Sequence, residues 1–251
     1  MTDPSTSRPR PEQPGRDLAD ELIALAGTPD DDSNVPALLK SITQSAADLL
    51  PPVSYASVTV HDDDSYATVA MSSLLALAVD EAQYSDQGGP CLDTLRTNEP
   101  TALPRIDATV RWPGFRAEAL RLGLRASLSI PLFAGRGAPI AALNLYGHDT
   151  DTMAPLIAAV LVTFESSSDV GAESKLVDLE NGPLQLVDGL IGAFGVRADI
   201  QRAIGVLMAT EHTDADRAYA ILRSRAAATA VSLTVVADSV LTMAGDEDRP
   251  P

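Results

Sequence analysis

Cys91 is the single cysteine of the chain, and its thiol is the first candidate for chemistry. It follows Gly88-Gly89-Pro90, which predicts a place at the start of a helix, where the helix dipole lowers the pKa of a thiol. A thiol nucleophile also needs a partnering histidine, and the histidines at positions 61, 148 and 212 lie in unrelated segments. Two interpretations therefore stay open for Cys91, a small buried hydrophobe and a redox sensor.

Two acidic triplets, Asp30–Asp32 and Asp62–Asp64, could offer oxygen ligands to a hard metal ion. Neither has the glycine and distal glutamate of a calcium loop, so both are predicted to be solvated turns and no metal is expected. The sequence also has no phosphate-binding glycine loop and no dinucleotide fingerprint. We therefore expect a protein that is not an enzyme, and no particular cofactor is indicated.

Aromatic residues make up only 4% of the chain, and several of them flank Cys91 in the sequence. Such residues usually anchor a core, but they also line the apolar pockets that hold small ligands. Both roles stay open. If there is a ligand pocket, its predicted lining is Tyr84, Cys91, Trp112, Phe115 and Tyr146.

The arginines of the C-terminal quarter are the candidates for contacts with nucleic acid. Between residues 184 and 245 five arginines accompany six carboxylates, whereas the whole chain has a net charge of −17. That balance excludes a protein that coats nucleic acid nonspecifically, because phosphate contacts need clustered cations. It permits a modest RNA-binding face, predicted to contain Arg197, Arg202, Arg223 and Arg225. The alternative is a solvated face whose arginine stems cover apolar surface.

The residues before position 170 predict an α+β domain with an antiparallel sheet. Alternating or β-rich stretches at 55–60, 66–70, 126–133 and 140–146 predict strands, the first two forming a hairpin. Apolar stripes predict helices at 17–26, 36–50, 72–82, 91–96, 113–122 and 153–164. We expect these helices to flank the sheet and to cover one of its faces.

The residues from 197 to 244 predict three short amphipathic helices. Apolar residues recur at 200, 203, 204, 207 and 208, and further stripes lie at 214–228 and 233–241. Three helices with one apolar stripe each can bury those stripes only against one another, which predicts an all-α bundle.

A linking helix is predicted between the sheet domain and the bundle. Its apolar stripe has no obvious partner in a compact bundle, so we expect it to join two protomers of a homodimer. The residues of this predicted interface are Leu186, Val187, Leu190, Ile191 and Phe194.

Several motifs in the first part of the chain resemble the GAF domain, in particular the GAF domains fused to ANTAR domains in actinobacteria. The matching residues are Gln83-Tyr84, Gly89-Pro90-Cys91-Leu92-Asp93, Arg111-Trp112-Pro113, Phe115, Ser129-Ile130-Pro131-Leu132 and Leu143-Asn144-Leu145-Tyr146. The resemblance covers roughly residues 35–170. It implies a cytoplasmic sensory domain whose sheet and helices enclose a small-molecule ligand.

The last helices resemble the ANTAR domain, an RNA-binding module of bacterial antitermination regulators. The matching residues are Arg197, Ile200, Ala203, Gly205, Leu207-Met208, Ala218-Tyr219, Leu222-Arg223, Leu233 and Val236-Ala237. The resemblance implies binding of paired RNA stem-loops in nascent transcripts, which prevents a terminator from forming. Where the family usually carries polar residues, this chain has Ile204, Ala230, Ser232, Thr234 and Val235. A second possibility is therefore a sensor whose bundle no longer binds RNA and docks on a protein.

The predicted organisation is a disordered segment at 1–16, a GAF-like sensor at 17–172, a linking helix at 173–196, an ANTAR-like bundle at 197–244 and a tail at 245–251. The longest apolar run is too short to span a bilayer, and no secretory signal is recognisable, so no membrane partner is expected. With one cysteine and no internal disulfide, the predicted location is the cytoplasm.

Overall fold

A five-stranded antiparallel sheet forms the centre of the first part of the protein. The structure is a computed structural model that describes residues 17–62, 65–168 and 180–247. The strands are β1 (Tyr55–Asp62), β2 (Ser65–Met71), β3 (Thr101–Leu103), β4 (Ala126–Ala134) and β5 (Ala138–Gly147), in the order β2-β1-β5-β4-β3. Four of them are the predicted strands. The three-residue β3 was not predicted, because it is too short to show an alternating pattern.

One face of the sheet is covered by four helices. They are α1 (Leu18–Ala26), α2 (Val35–Leu49), α6 (Thr150–Ser168) and the first part of α7 (Asn181–Thr210). Their apolar stripes meet the inward side chains of the strands, such as Val58, Ile130 and Leu143, in one continuous core. This layer is the expected consequence of helices with a single apolar stripe.

The other face of the sheet is covered as well. Helices α3 (Leu74–Ser85), α4 (Pro90–Thr97) and α5 (Pro113–Arg121) lie over it with a short 3₁₀ helix (Ile106–Ala108). The expectation of one covered face was therefore wrong. The side chains of β4 are buried along its whole length, since layers lie on both sides. Within the fold class, α+β with an antiparallel sheet is confirmed.

The C-terminal bundle consists of the end of α7 with α8 (Ala215–Thr229) and α9 (Leu233–Glu247). Ile200, Ala203 and Leu207 of α7 are buried against Leu222 of α8 and Leu233 of α9. The Asp214 side chain caps α8 by accepting a 2.8 Å hydrogen bond from the backbone N–H of Arg217. The predicted three-helix bundle is thus present.

The predicted linking helix and the first helix of the bundle are one helix. Helix α7 runs without interruption for 30 residues, so the boundary expected between 196 and 197 falls inside it. Between Phe194 and Ile200 the weakest helix former is Gly195, and a single glycine lowers helix stability without ending the helix. The sequence pattern could not distinguish two helices from one at that point.

The apolar stripe of α7 is occupied within the chain, which corrects the premise of the dimer prediction. Leu186, Val187 and Leu190 are buried, and the ring of Phe194 makes edge contacts with Phe133 and Phe164 at centroid distances of 6.2 and 4.8 Å. Ile191 is 47% exposed. The partner is the nearby layer of α1 and the sheet, which the sequence pattern did not place beside α7. Assembly into a homodimer stays a prediction without this argument.

Glycines allow α1 and α7 to approach closely. A Cβ on Gly189 would lie 2.7 Å from Cα of Ala19, and one on Gly192 would lie 2.6 Å from Cδ1 of Ile23. A side chain at Gly189 would push the helices apart, because it meets the backbone of α1, whereas one at Gly192 would force the side chain of Ile23 to move.

The expectations for residues 1–16, for Asp63 and Asp64 and for 169–179 lie outside the described residues, as does the end of the predicted tail. Within the described ranges no single helix is long and apolar enough to cross a membrane; α8 and α9 meet the criteria only as a pair bent by 112°.

Candidate nucleic-acid interface and sensor interior

The four arginines predicted to bind RNA lie on two helices of the bundle, Arg197 and Arg202 on α7 and Arg223 and Arg225 on α8. Three of them are paired with carboxylates of the same chain. Arg202 contacts Asp199, Arg225 Nη2 lies 3.0 Å from Glu211 Oε1, and Arg223 Nη2 lies 2.6 Å from Asp31 Oδ2. These three arginines do not form a contiguous positive patch in this conformation, because a carboxylate lies next to each guanidinium group and offsets its charge.

The fourth arginine faces the sheet domain. The guanidinium carbon of Arg197 lies 4.2 Å from the ring centroid of Phe133, a cation–π contact at the end of β4. Burial lowers the pKa of Arg197, although an arginine stays charged at any physiological pH. Arg197, which is half-buried, therefore serves the contact between the two domains.

A cluster of polar contacts joins the bundle to the sheet domain, and we name it the clasp. The hydroxyl of Tyr219 donates a 3.0 Å hydrogen bond to Asp30 Oδ1, and Arg223 pairs with Asp31. On the other side, Arg136 Nη1 lies 2.6 Å from Asp216 Oδ1. The residues of the clasp are Asp30, Asp31, Arg136, Asp216, Tyr219 and Arg223.

Tyr219 stands in the middle of the clasp. Its ring centroid is 5.8 Å from the guanidinium carbon of Arg136 and 5.7 Å from that of Arg223. Burial and the nearby carboxylate of Asp30 raise the pKa of Tyr219 to about 12, so its hydroxyl remains a donor at neutral pH. Tyr219 thus contacts both guanidinium groups, each at the outer range of a cation–π interaction.

The β4–β5 hairpin needs glycine to reach the clasp. Gly135 has a φ of +53°, and a Cβ there would lie 2.2 Å from the hydroxyl oxygen of Tyr219. Both the left-handed backbone and the close approach exclude a side chain. The Gln201 amide of α7 also donates to the carbonyl of Arg136, which fixes the hairpin against both helices.

Clefts lie on either side of the clasp. One of about 790 Å³ separates the α1–α2 loop from α8 and the turn before α9, with Asp31 and Arg223 in its wall. Another of about 660 Å³ is lined by residues that include His61, Tyr66 and Arg136. The polar contacts of the clasp therefore lie beside open spaces.

The sensor interior contains a polar network between the sheet and α3. Its centre is Asp80, which is fully buried. Tyr146 donates a 2.6 Å hydrogen bond to Asp80 Oδ1, and Thr68 donates a 2.8 Å bond to Oδ2. Burial raises the pKa of Asp80 to about 6, although the hydrogen bonds from Tyr146, Ser57 and Thr68 oppose the rise.

Two neighbours of Asp80 on α3 extend the network to the predicted pocket residues. Gln83 accepts a 3.0 Å hydrogen bond from the backbone N–H of Cys91 and donates a 3.1 Å bond to the hydroxyl of Tyr146. The Tyr84 hydroxyl shares hydrogen bonds of 2.9 and 2.7 Å with Thr59 and Thr68, and burial raises its pKa. Tyr84, Cys91 and Tyr146 are thus brought together.

The two other predicted pocket residues have different surroundings. Phe115 is buried in the same apolar cluster as Tyr146, whereas Trp112 lies at its margin, with the Arg111 guanidinium carbon 4.1 Å from its ring centroid. Cys91, Phe115 and Tyr146 have at most 1% of their surface accessible, so this interior is closed and leaves no water-sized space beside them. A ligand would have to displace side chains to enter.

The burial of Cys91 decides its protonation. Burial raises the pKa of its thiol well above the ordinary value, and Asp80 adds to the rise. The favourable effect of the helix start is smaller than this cost, so the thiolate is suppressed. Among the described residues, no group of three or more His, Cys, Asp or Glu side chains could hold a metal ion.

Sequence reasoning missed Asp80 and the sensor side of the clasp. It also missed Asn144, which belongs to the same network because its amide donates a 2.9 Å hydrogen bond to the hydroxyl of Thr59. Asn144 was in principle visible, because it alternates with the core residues Leu143 and Leu145 and must face the second layer. Asp30 and Arg136 were not, because they belong to loops whose partners on α8 are far away in the sequence.

The arrangement is that of a helix-covered antiparallel sheet joined by one helix to a three-helix bundle, the class of a sensor fused to an output module. The model of the GAF domain matches residues 32–164 and the model of the ANTAR domain matches residues 190–241. The chain therefore belongs to the GAF family and carries an ANTAR domain after its GAF domain. No curated protein matches it significantly. Both domains are regulatory and not catalytic, and their combination gives a signal-transduction protein with RNA-binding potential.

Proposed function

We propose that this protein is a cytoplasmic transcription antitermination regulator, in which a small molecule sensed by the GAF domain controls the binding of RNA stem-loops by the ANTAR domain. The observation that carries the proposal is the continuity of α7. Leu186 and Leu190 belong to the core of the sensor, and Ile200 and Leu207 of the same helix belong to the core of the bundle. A shift of the helix layer in the sensor therefore moves the first ANTAR helix as well.

The proposed RNA contacts are few. Arg202, Arg223 and Arg225 are the candidates for phosphate once they leave their carboxylate partners, and Arg197 joins them only if the domains separate. Proteins that recognise RNA loops depend mainly on stacking and base edges, so a small cationic face is sufficient. Counterion release by four arginines gives a salt slope of about −3 to −4 in log–log form.

Fluorescence anisotropy with a labelled RNA of two tandem stem-loops with randomised loops tests the proposal. We expect salt-sensitive binding with that shallow slope, and we expect Arg223→Ala with Arg225→Ala to abolish it while circular dichroism stays unchanged. Arg121→Ala, on the outer surface of α5, is the matched control because it removes an exposed arginine far from the bundle. If no RNA of the pool binds at low salt, the proposal is refuted.

The second candidate function is docking of the bundle on a protein. It is favoured by the neutralised arginines and by exposed apolar side chains on α7 and α9, namely Met208 (37%), Val235 (50%) and Met243 (68%). The anisotropy measurement separates the two functions. If the bundle docks on a protein through these apolar side chains, the RNA should not bind, with or without Arg223→Ala.

A further inference from the structure

The α1–α2 loop supplies anions to the face of α8 on which RNA binding is proposed. Asp31 accepts a hydrogen bond from the guanidinium of Arg223, and Asp30 accepts one from the hydroxyl of Tyr219. We propose that Asp30 and Asp31 act as an internal competitor of RNA, so that the clasp holds the ANTAR domain in a state that binds RNA only weakly. This inference rests on the proposed RNA binding and specifies how the sensor controls it.

The competition follows from the chemistry of the groups. Carboxylate and phosphate oxygens are both anionic acceptors for a guanidinium, and the 2.6 Å contact of Arg223 with Asp31 uses the donor that a phosphate would use. An RNA strand next to this loop also meets the charges of Asp30 and Asp31 themselves. The loop therefore removes an attractive group and adds repulsion at the same place.

The aromatic group of the face is blocked as well. A tyrosine on an RNA-binding surface stacks on unpaired bases, which requires one open side of its ring. Only 5% of the surface of Tyr219 is exposed. The guanidinium carbons of Arg136 and Arg223 lie 5.8 and 5.7 Å from its ring centroid, and its hydroxyl donates to Asp30. Opening of the clasp would free the hydroxyl of Tyr219 and the guanidinium of Arg223 in one step, while part of the ring stays in the core of the bundle.

The clasp has the properties of a contact that can open. Its ion pairs are partly exposed, with side-chain exposures of 38% for Arg223 and 60% for Asp31, and such pairs are individually weak. Gly195 lies in α7 between the sensor core and the bundle, and a Cβ there would meet no atom within 4 Å. No close contact requires this glycine, and it lowers the helix stability of α7 between the two cores.

The test compares two double substitutions that remove the same charge. Asp30→Ala with Asp31→Ala opens the clasp, whereas Asp151→Ala with Asp188→Ala removes two exposed carboxylates from α6 and α7 of the full-length chain. The probe is the tandem stem-loop RNA described above, measured by anisotropy without added effector. We expect the clasp variant to bind at least about fivefold more tightly than the control variant, the lower range of allosteric coupling.

Further outcomes separate this inference from the proposed function. Equal affinities of the two variants for RNA would overturn the inference and leave RNA binding standing. Absence of binding by both variants would overturn both, because the opened face would then have no affinity for RNA. Addition of Arg223→Ala to the clasp variant should abolish the gain; a gain that persists would also overturn the inference.

Discussion

The hydroxyl of Tyr146 and the carboxylate of Asp80 form a 2.6 Å hydrogen bond in the interior of the sensor domain. The bond joins β5 to α3, and no lysine or arginine accompanies the carboxylate in the network described above. A buried carboxylate without a cation is costly when it is charged, even with hydrogen bonds from Tyr146 and Thr68. The sensor thus contains a group whose charge opposes folding at neutral pH.

This relationship predicts a pH dependence of stability. Because burial raises the pKa of Asp80 from 3.8 to about 6, its contribution to stability is full below pH 4 and is lost as the pH rises through 6. The loss amounts to about 3 kcal/mol. In Asp80→Asn the amide keeps an oxygen for Tyr146, so urea denaturation should show up to about 3 kcal/mol more stability than the parent at pH 8, and the fall in stability that Asp80 causes between pH 4 and 7 should be lost. Asp238→Asn, on the exposed side of α9, should keep the slope of the parent protein; an unchanged slope in Asp80→Asn would exclude Asp80 as its source.

The contacts of α7 predict very different effects on the free energy of unfolding for substitutions at two adjacent residues. Leu190 is 2% exposed, and its replacement by alanine should lower the free energy of unfolding by about 2 to 5 kcal/mol. Ile191→Ala, at the next position on the exposed side, should change it by less than about 0.5 kcal/mol. Sedimentation of both variants reports assembly: if Leu190→Ala remains as stable as the parent and only dissociates, the side chain belongs to a dimer interface after all.

The raised pKa of the Cys91 thiol predicts low reactivity. A thiol reagent should label the native protein at pH 7 many times more slowly than the unfolded protein in urea, because both access and thiolate are lacking. Cys91→Ala should leave RNA binding and its control unchanged. Rapid labelling of native protein, or loss of control in the alanine variant, would restore the redox-sensor interpretation.

The hairpin glycine predicts a link between backbone conformation and RNA affinity. Gly135→Ala places a methyl group against Tyr219 at a positive φ, so it should cost about 1 to 2 kcal/mol and open the clasp. Gly205→Ala, in α7 with no atom within 4 Å of the new Cβ, should instead stabilise the protein by up to about 1 kcal/mol. Chemical denaturation measures both, and the anisotropy assay should show tighter RNA binding only for Gly135→Ala if the clasp is inhibitory.

Much of the fold was predictable because it depends on local periodicity. The alternation from Ile140 to Tyr146 gave a strand, and the stripe from Ile200 to Leu207 gave a helix with one buried face. The same patterns could not say which neighbour buries each stripe. The sequence shows that Leu190 must pack against an apolar surface. It does not show whether that surface belongs to α1 or to a second protomer.

The candidate site was less predictable than the fold. The arginine positions were found, but their carboxylate partners were not, since Asp31 and Arg223 are 192 positions apart in the sequence and carry no pattern that pairs them. Charge counting treated these groups as independent. The structure shows that one upstream carboxylate, Asp31, pairs with a downstream arginine, Arg223.

The length of α7 has a mechanical consequence. A helix of 30 residues is about 45 Å long, and if it moves as a straight rod, a tilt of its sensor half displaces its bundle half as well. If the sensor half tilts by about 5°, an end some 20 Å away moves by about 2 Å. That displacement is close to the length of a hydrogen bond. A small tilt of the sensor half of α7 therefore suffices to break the polar contacts of the clasp.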